Sequence, residues 1–162
     1  MLFVFLAVLA LGLRLGLSKV GDRLVRGLSL PVLIGFQTFR LPLELVMHRA
    51  ATEGVMPPQM SYSGWNFDIL TGITAIFVGV LLFMGRMPRW GVWLWNIGGM
   101  ALLAGIILIA GLSSPMVRAF GEEPARVNTW VAHFPFVWLP SVLVVAAIVG
   151  HVVITRKLLR ER

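Results

Sequence analysis

The chain has 162 residues, 58% of them hydrophobic and 13% charged, with a formal net charge of +7. A soluble domain of this length carries roughly a quarter charged residues, and here the apolar residues fall in long runs, so the composition is that of a membrane protein rather than a soluble enzyme. The chain has no cysteine, which excludes disulfides, cysteine metal sites and thiol nucleophiles, and the positive charge reads as basic cytoplasmic loops, not as a nucleic-acid surface.

Met1 opens directly into LFVFLAVLALGL, with no basic segment before it and no small-residue cleavage site after it. The expectation is a retained helix and not a removed signal peptide. This first run covers 2–17 and is interrupted by Arg14, which can snorkel to the interface. Four further runs follow at 30–52, 69–85, 91–114 and 134–159. At about 1.5 Å per residue, each reaches or approaches the ~30 Å hydrocarbon core. The expected fold is an all-α membrane protein in a single domain over 1–162. It is a bundle of five transmembrane helices, or four if the first run does not insert.

The loops give an orientation. Lys19, Arg23, Arg26, Arg86, Arg89, Arg156, Lys157, Arg160 and Arg162 fall on one side, nine in all, against Arg49, Arg118 and Arg126 on the other. The second side also holds Glu53, Asp68, Glu122 and Glu123. The positive-inside rule then places the N-terminus outside and the C-terminus in the cytoplasm, in the inner (plasma) membrane. The outer loops, EGVMPPQMSYSGWNFD and PMVRAFGEEPARVNTWVAH, are the long ones. Trp90, Trp93 and Trp95 at the inner boundary and Trp65 and Trp130 at the outer one read as aromatic belts. Ala75 with Gly79, Ala101 with Gly105, and Ala146 with Gly150 are small pairs at four-residue spacing, suited to close helix packing.

The second run carries Gln37, Arg40, Glu44 and His48 at spacings of 3, 4 and 4, on one helix face. Arg40 is expected ~15 Å in from the cytoplasmic side and Glu44 ~6 Å further out. An unpaired charge at that depth costs about 2.5–3.5 kcal/mol on insertion scales, so an Arg40–Glu44 ion pair one turn apart is expected to reduce the cost. Pro42, between them, frees the carbonyl of Thr38 and should kink the helix. Two readings follow: a neutralised pair that pins the helix to its neighbours, or an ion, proton or ligand site in a polar cavity.

In GWNFDILTG, Asn66 is expected to cap the third run, with Asp68 in its first turn beside the positive end of the helix dipole. The three histidines raise a haem or metal reading. Depth limits it: His48 and His133 both lie toward the outer side and could share a ligand ion, whereas His151 lies ~27 Å further along the fifth run, near the cytoplasm, and could not share one with His48. No HxxxH or HExxH spacing occurs, and no metal ligand or cofactor is assigned. Met56, Met60 and Met116 are read as hydrophobic filling rather than copper ligands. Ser61, Ser63, Ser113 and Ser114 lack a hydrolase context. Pro135 is expected in the first turn of the fifth helix and Pro140 at a kink.

The segments FQTFRLPLEL, GWNFDILTG, WNIGG and FPFVWLP followed by a histidine resemble, in order and spacing, a family of uncharacterised bacterial integral membrane proteins. The resemblance covers about residues 33 to 155. It implies four or five spans and a membrane location, and no activity. Its motifs mark Arg40, Glu44, Gly64, Asn66, Phe67, Asp68, Asn96, Pro135, Trp138, Pro140 and His151.

The expected function is binding or transport of a small ligand or ion through an outward-facing polar pocket around Arg40 and Glu44, with His48, Asn66 and Asp68 as further binding residues. The pocket is expected to be shallow, floored by Arg40 and Glu44 and rimmed by Asn66, Asp68 and Trp65. The alternative is an accessory or scaffold subunit in which Arg40–Glu44 is purely structural. A membrane haem or redox protein is the lesser alternative. The expected partners are the lipid bilayer, the small ligand, and a membrane-protein partner or a second copy. No catalytic residue is assigned.

Overall fold

The computed structural model describes residues 2–161; Arg162, counted above among the basic residues, lies outside them. Among the described residues it is all-α, with six helices: α1 (Leu2–Leu17), α2 (Lys19–Gly27), α3 (Leu30–Thr52), α4 (Ile69–Phe83), α5 (Arg89–Leu112) and α6 (Leu139–Arg160). By length and composition α3, α5 and α6 can each cross a membrane, whereas α1 and α4 are apolar but shorter. Three candidate membrane-spanning helices suggest a multi-pass membrane protein.

Ser18 ends α1 and starts α2, its hydroxyl accepting from Val20 N–H at 3.1 Å. The segment read as a basic loop is therefore a helix, and it packs on α6. Arg156 ties this corner down, donating to Gly16 O at 2.7 Å and to Asp22 Oδ1 at 2.5 Å. The central helix of the bundle is α6, which contacts α1, α2, α3 and α5.

Helix α3 is continuous but tightens to a 3₁₀ turn at Gln37–Phe39. The cause is Pro42, whose ring crowds the Thr38 carbonyl and offers it no N–H. Helix α6 begins at Leu139, five residues later than the start of the fifth apolar run, because 134–137 form turns. Pro140, not Pro135, thus occupies the first turn of the helix, which is π-helical over Leu139–Val144.

The apolar core has an inner and an outer part, and a smaller third cluster of Leu103, Ala147 and Ile148. Leu33, Ile34, Ala75, Val78, Val153 and Ile154 pack together in the inner part. Met47, Ala50, Met56, Met60, Ala110 and Trp130 form the outer one. The outer loops belong to this packing: Gln59 donates to Ser113 Oγ at 3.0 Å and to Arg126 O at 2.7 Å, joining one loop to the other. Trp130 is accordingly not a belt residue. It is 5% exposed and packs edge-on against Phe136, whereas Trp65 is 66% exposed. Of the small pairs, Ala75 is fully buried and Gly79 faces α3 at Pro31 and Gly35, but a side chain at Gly105 would meet nothing within 4 Å.

Candidate functional site

Between the two cores, α3 presents Gln37, Arg40 and Glu44 inward, all buried. Arg40 does not form its ion pair with Glu44. Its Nε donates to Asp68 Oδ2 at 2.7 Å and its Nη2 to Asp68 Oδ1, a bidentate pair between α3 and the start of α4. The reason is position: Asp68 stands at the N-cap of α4, directly across from Arg40, and makes no capping bond with its side chain. Its carboxylate serves the guanidinium instead, with Thr71 Oγ1 at 3.4 Å.

The third Arg40 contact comes from α6. Arg40 Nη1 lies 2.9 Å from His151 Nε2, and His151 Nδ1 lies 2.9 Å from Asn96 Oδ1 on α5. Asn96 Nδ2 is occupied as a donor, to Thr155 Oγ1 at 2.8 Å, so its oxygen is an acceptor. His151 is then protonated on Nδ1 and accepts from Arg40 at Nε2, which makes it the neutral tautomer. The depth assigned to His151 from the sequence is corrected here. With the helix starting at Leu139, His151 lies ~18 Å from that end and level with Arg40. Both ring nitrogens are engaged, so His151 offers no haem ligand in this arrangement.

Glu44 has a different partner. Asn66 Nδ2 reaches its two carboxylate oxygens at 2.9 and 2.8 Å and the Met60 carbonyl at 3.0 Å. Asn66 Oδ1 in turn accepts from the Asp68 backbone N–H at 3.0 Å, an Asx-type turn that leads into α4. Among the described residues no cationic side chain forms an ion pair with Glu44. Asn96, His151, Arg40, Asp68, Asn66 and Glu44 thus form one connected chain across four helices, none of them more than 5% exposed. Three glycines allow the close packing in and around it. A side chain at Gly99 would strike the His151 ring, one at Gly150 the Gln37 amide, and one at Gly72 the backbone of Leu41.

His48 is not part of this chain. It is half-buried near the outer end of α3, with Nδ1 2.9 Å from Ser61 Oγ and its ring stacked on Tyr62 at 4.4 Å.

A cavity of about 70 Å³ opens against the polar chain. Arg40, Glu44 and Asp68 contribute to its wall, and the rest is apolar, from α1, α3, α5, the π-helical turn of α6 and the outer loops. This differs from the shallow outward pocket expected from the sequence. Asn66 and Trp65 do not line it, and Met60, Trp130 and Val131 of the folded outer loops do, closing it on that side. Asn96 and His151 were not among the expected binding residues: Asn96 stood out only in the resemblance motifs, and His151 there and in the haem reading. Spacing along one helix carries no information about partners on α5 and α6. Compared with known proteins, the chain matches no family model, no curated protein and no solved structure.

Proposed function

We propose that this multi-pass membrane protein binds a small ligand inside its bundle, with the ligand's polar end at Arg40, Glu44 and Asp68 and its body against the apolar wall. The observation that carries this is a carboxylate without an ion-pair partner at the edge of a half-open, mostly apolar cavity in the bundle. A bundle that used the polar chain for stability alone would satisfy Arg40 with Asp68 and His151 and would gain nothing from burying a second carboxylate. Arg40 is then the fixed positive element, Asp68 its counter-ion and orienter, and Glu44 the group free to meet a ligand. Asn66 holds Glu44 in place. His48 belongs to the outer cap and not to the pocket. The same reading puts the protein in the inner membrane with a cytoplasmic C-terminus, as the basic residues favour, and within the bacterial family whose motifs it shares.

Single-cysteine variants test the pocket, with no background from native thiols. A small neutral methanethiosulfonate that partitions into the bilayer should modify Glu44→Cys and Met47→Cys much faster than Ala75→Cys, which is buried in the inner core. A charged reagent added outside should modify Thr52→Cys, which is exposed, and spare Glu44→Cys. Equal protection of the Glu44, Met47 and Ala75 variants from the neutral reagent would mean a packed interior and would end the pocket reading.

A further inference from the structure

The nature of the ligand follows from three observations, on the assumption that the pocket just described is a binding site. The first is charge. Around the cavity the described groups are Arg40, positive, and Asp68 and Glu44, both carboxylates. His151 on α6 is neutral by its hydrogen bonds, and α1 and α5 contribute only apolar side chains to the wall. His48, the next titratable group on α3, is turned to Ser61. An ionised Glu44 therefore leaves one uncompensated negative charge in an apolar interior, which is costly unless a proton or a bound cation neutralises it.

The second observation is the wall itself. Phe5, Phe39 and Trp130 bring aromatic rings to the cavity, surfaces that attract a cation.

The third is the way in. The outer loops cover the cavity, but a groove of about 390 Å³ adjoins it between α1, α5 and α6. The two share Leu9, Leu103 and Ile107. At the groove's rim Leu13 and Leu108 are 47% and 61% exposed, on helix surfaces that face hydrocarbon in a bilayer. A molecule arriving by this route must dissolve in the membrane.

We propose that the ligand is a lipophilic cation, an amine or onium ion with an apolar chain, which enters sideways through the α1–α5 groove and places its charged head on Glu44 in exchange for one proton. The step balances simply: the Glu44 O–H bond breaks, the proton goes to solution, and the carboxylate is left paired with the cation. No electron moves and no other bond forms.

The probe is decyltrimethylammonium, compared with the hydrocarbon in which carbon replaces the quaternary nitrogen, using protein in nanodiscs with empty nanodiscs as background. The expected result is saturable binding of the ammonium only, with one proton released per cation in weak buffer. Its apparent affinity should fall up to about tenfold per pH unit on acidification, since the proton and the cation compete for one group. Glu44→Gln should abolish both binding and proton release, and Leu103→Trp, which obstructs the passage shared by groove and cavity, should abolish binding while Glu44 remains. Equal binding of the hydrocarbon, cation binding without proton release, or undiminished binding in the Glu44→Gln variant would each overturn the proposal. If the cation fails to bind while Glu44→Cys still reacts with the neutral thiol reagent, the ligand assignment is wrong and the pocket stands. A protected Glu44→Cys removes both.

Discussion

Replacing Asp68 by leucine strands the Arg40 guanidinium in an apolar interior. Arg40 and Asp68 have side chains only 1% and 7% exposed and are joined by two hydrogen bonds. Losing one partner of such a pair costs about 3–5 kcal/mol, because the remaining charge stays buried. Arg40→Met should cost a similar amount, since it strands Asp68 and also removes the donor to His151 Nε2. The double variant removes both charges. What remains is the unpartnered His151 acceptor, at about 1–3 kcal/mol. The expected loss for the pair of changes is therefore about 1–3 kcal/mol, against a sum of ~6–10 for the two singles. Arg40→Met with Glu44→Leu should show no such rescue, because Glu44 is held by Asn66 and not by Arg40. Reversible unfolding in mixed micelles, followed by tryptophan fluorescence, supplies the four stabilities of each cycle. Additivity of the Arg40 and Asp68 changes within about 0.5 kcal/mol would refute the pairing, and a strong rescue with Glu44→Leu would restore the intrahelical pair expected from spacing.

Two glycines on different helices should respond in opposite directions. Gly72→Ala places a methyl group against the Leu41 backbone and should separate α3 from α4, with a loss of about 1–3 kcal/mol. Gly105→Ala opens into free space within a helix and should stabilise by up to about 1 kcal/mol. A thermal-shift comparison of the two variants checks both signs, and a loss at Gly105 would reveal a neighbour there. Gly150→Val should destabilise by displacing the buried Gln37 amide, and pairing it with Gln37→Ala should recover part of the loss. For orientation, a reporter fused after the C-terminus should be active only in the cytoplasm, and activity on the outer side would reverse the assignment drawn from the basic residues.

The local features were legible in the sequence because local rules produce them. A helix that crosses hydrocarbon needs about 20 apolar residues in succession, whatever it packs against. The bounds of α3 were therefore readable directly, and those of α5 to within two residues. The shared face of Gln37, Arg40 and Glu44 follows from 3.6 residues per turn, and the disturbance upstream of Pro42 follows from its missing N–H.

Only the tertiary structure decided the partners. Spacing could show that Glu44 was within a turn of Arg40, but not that Asp68, 28 residues away, presents both oxygens in better geometry. Trp130 looked like a belt residue because interfacial preference is a property of the indole ring, whereas its burial depends on an outer loop folding back. The depth of His151 depended on where α6 begins, and a Pro-interrupted apolar stretch reads as continuous until its backbone is seen to turn. The side of α3 on which the cavity lies was equally hidden. Voids are set by how whole helices fail to touch, and that information is in no single segment.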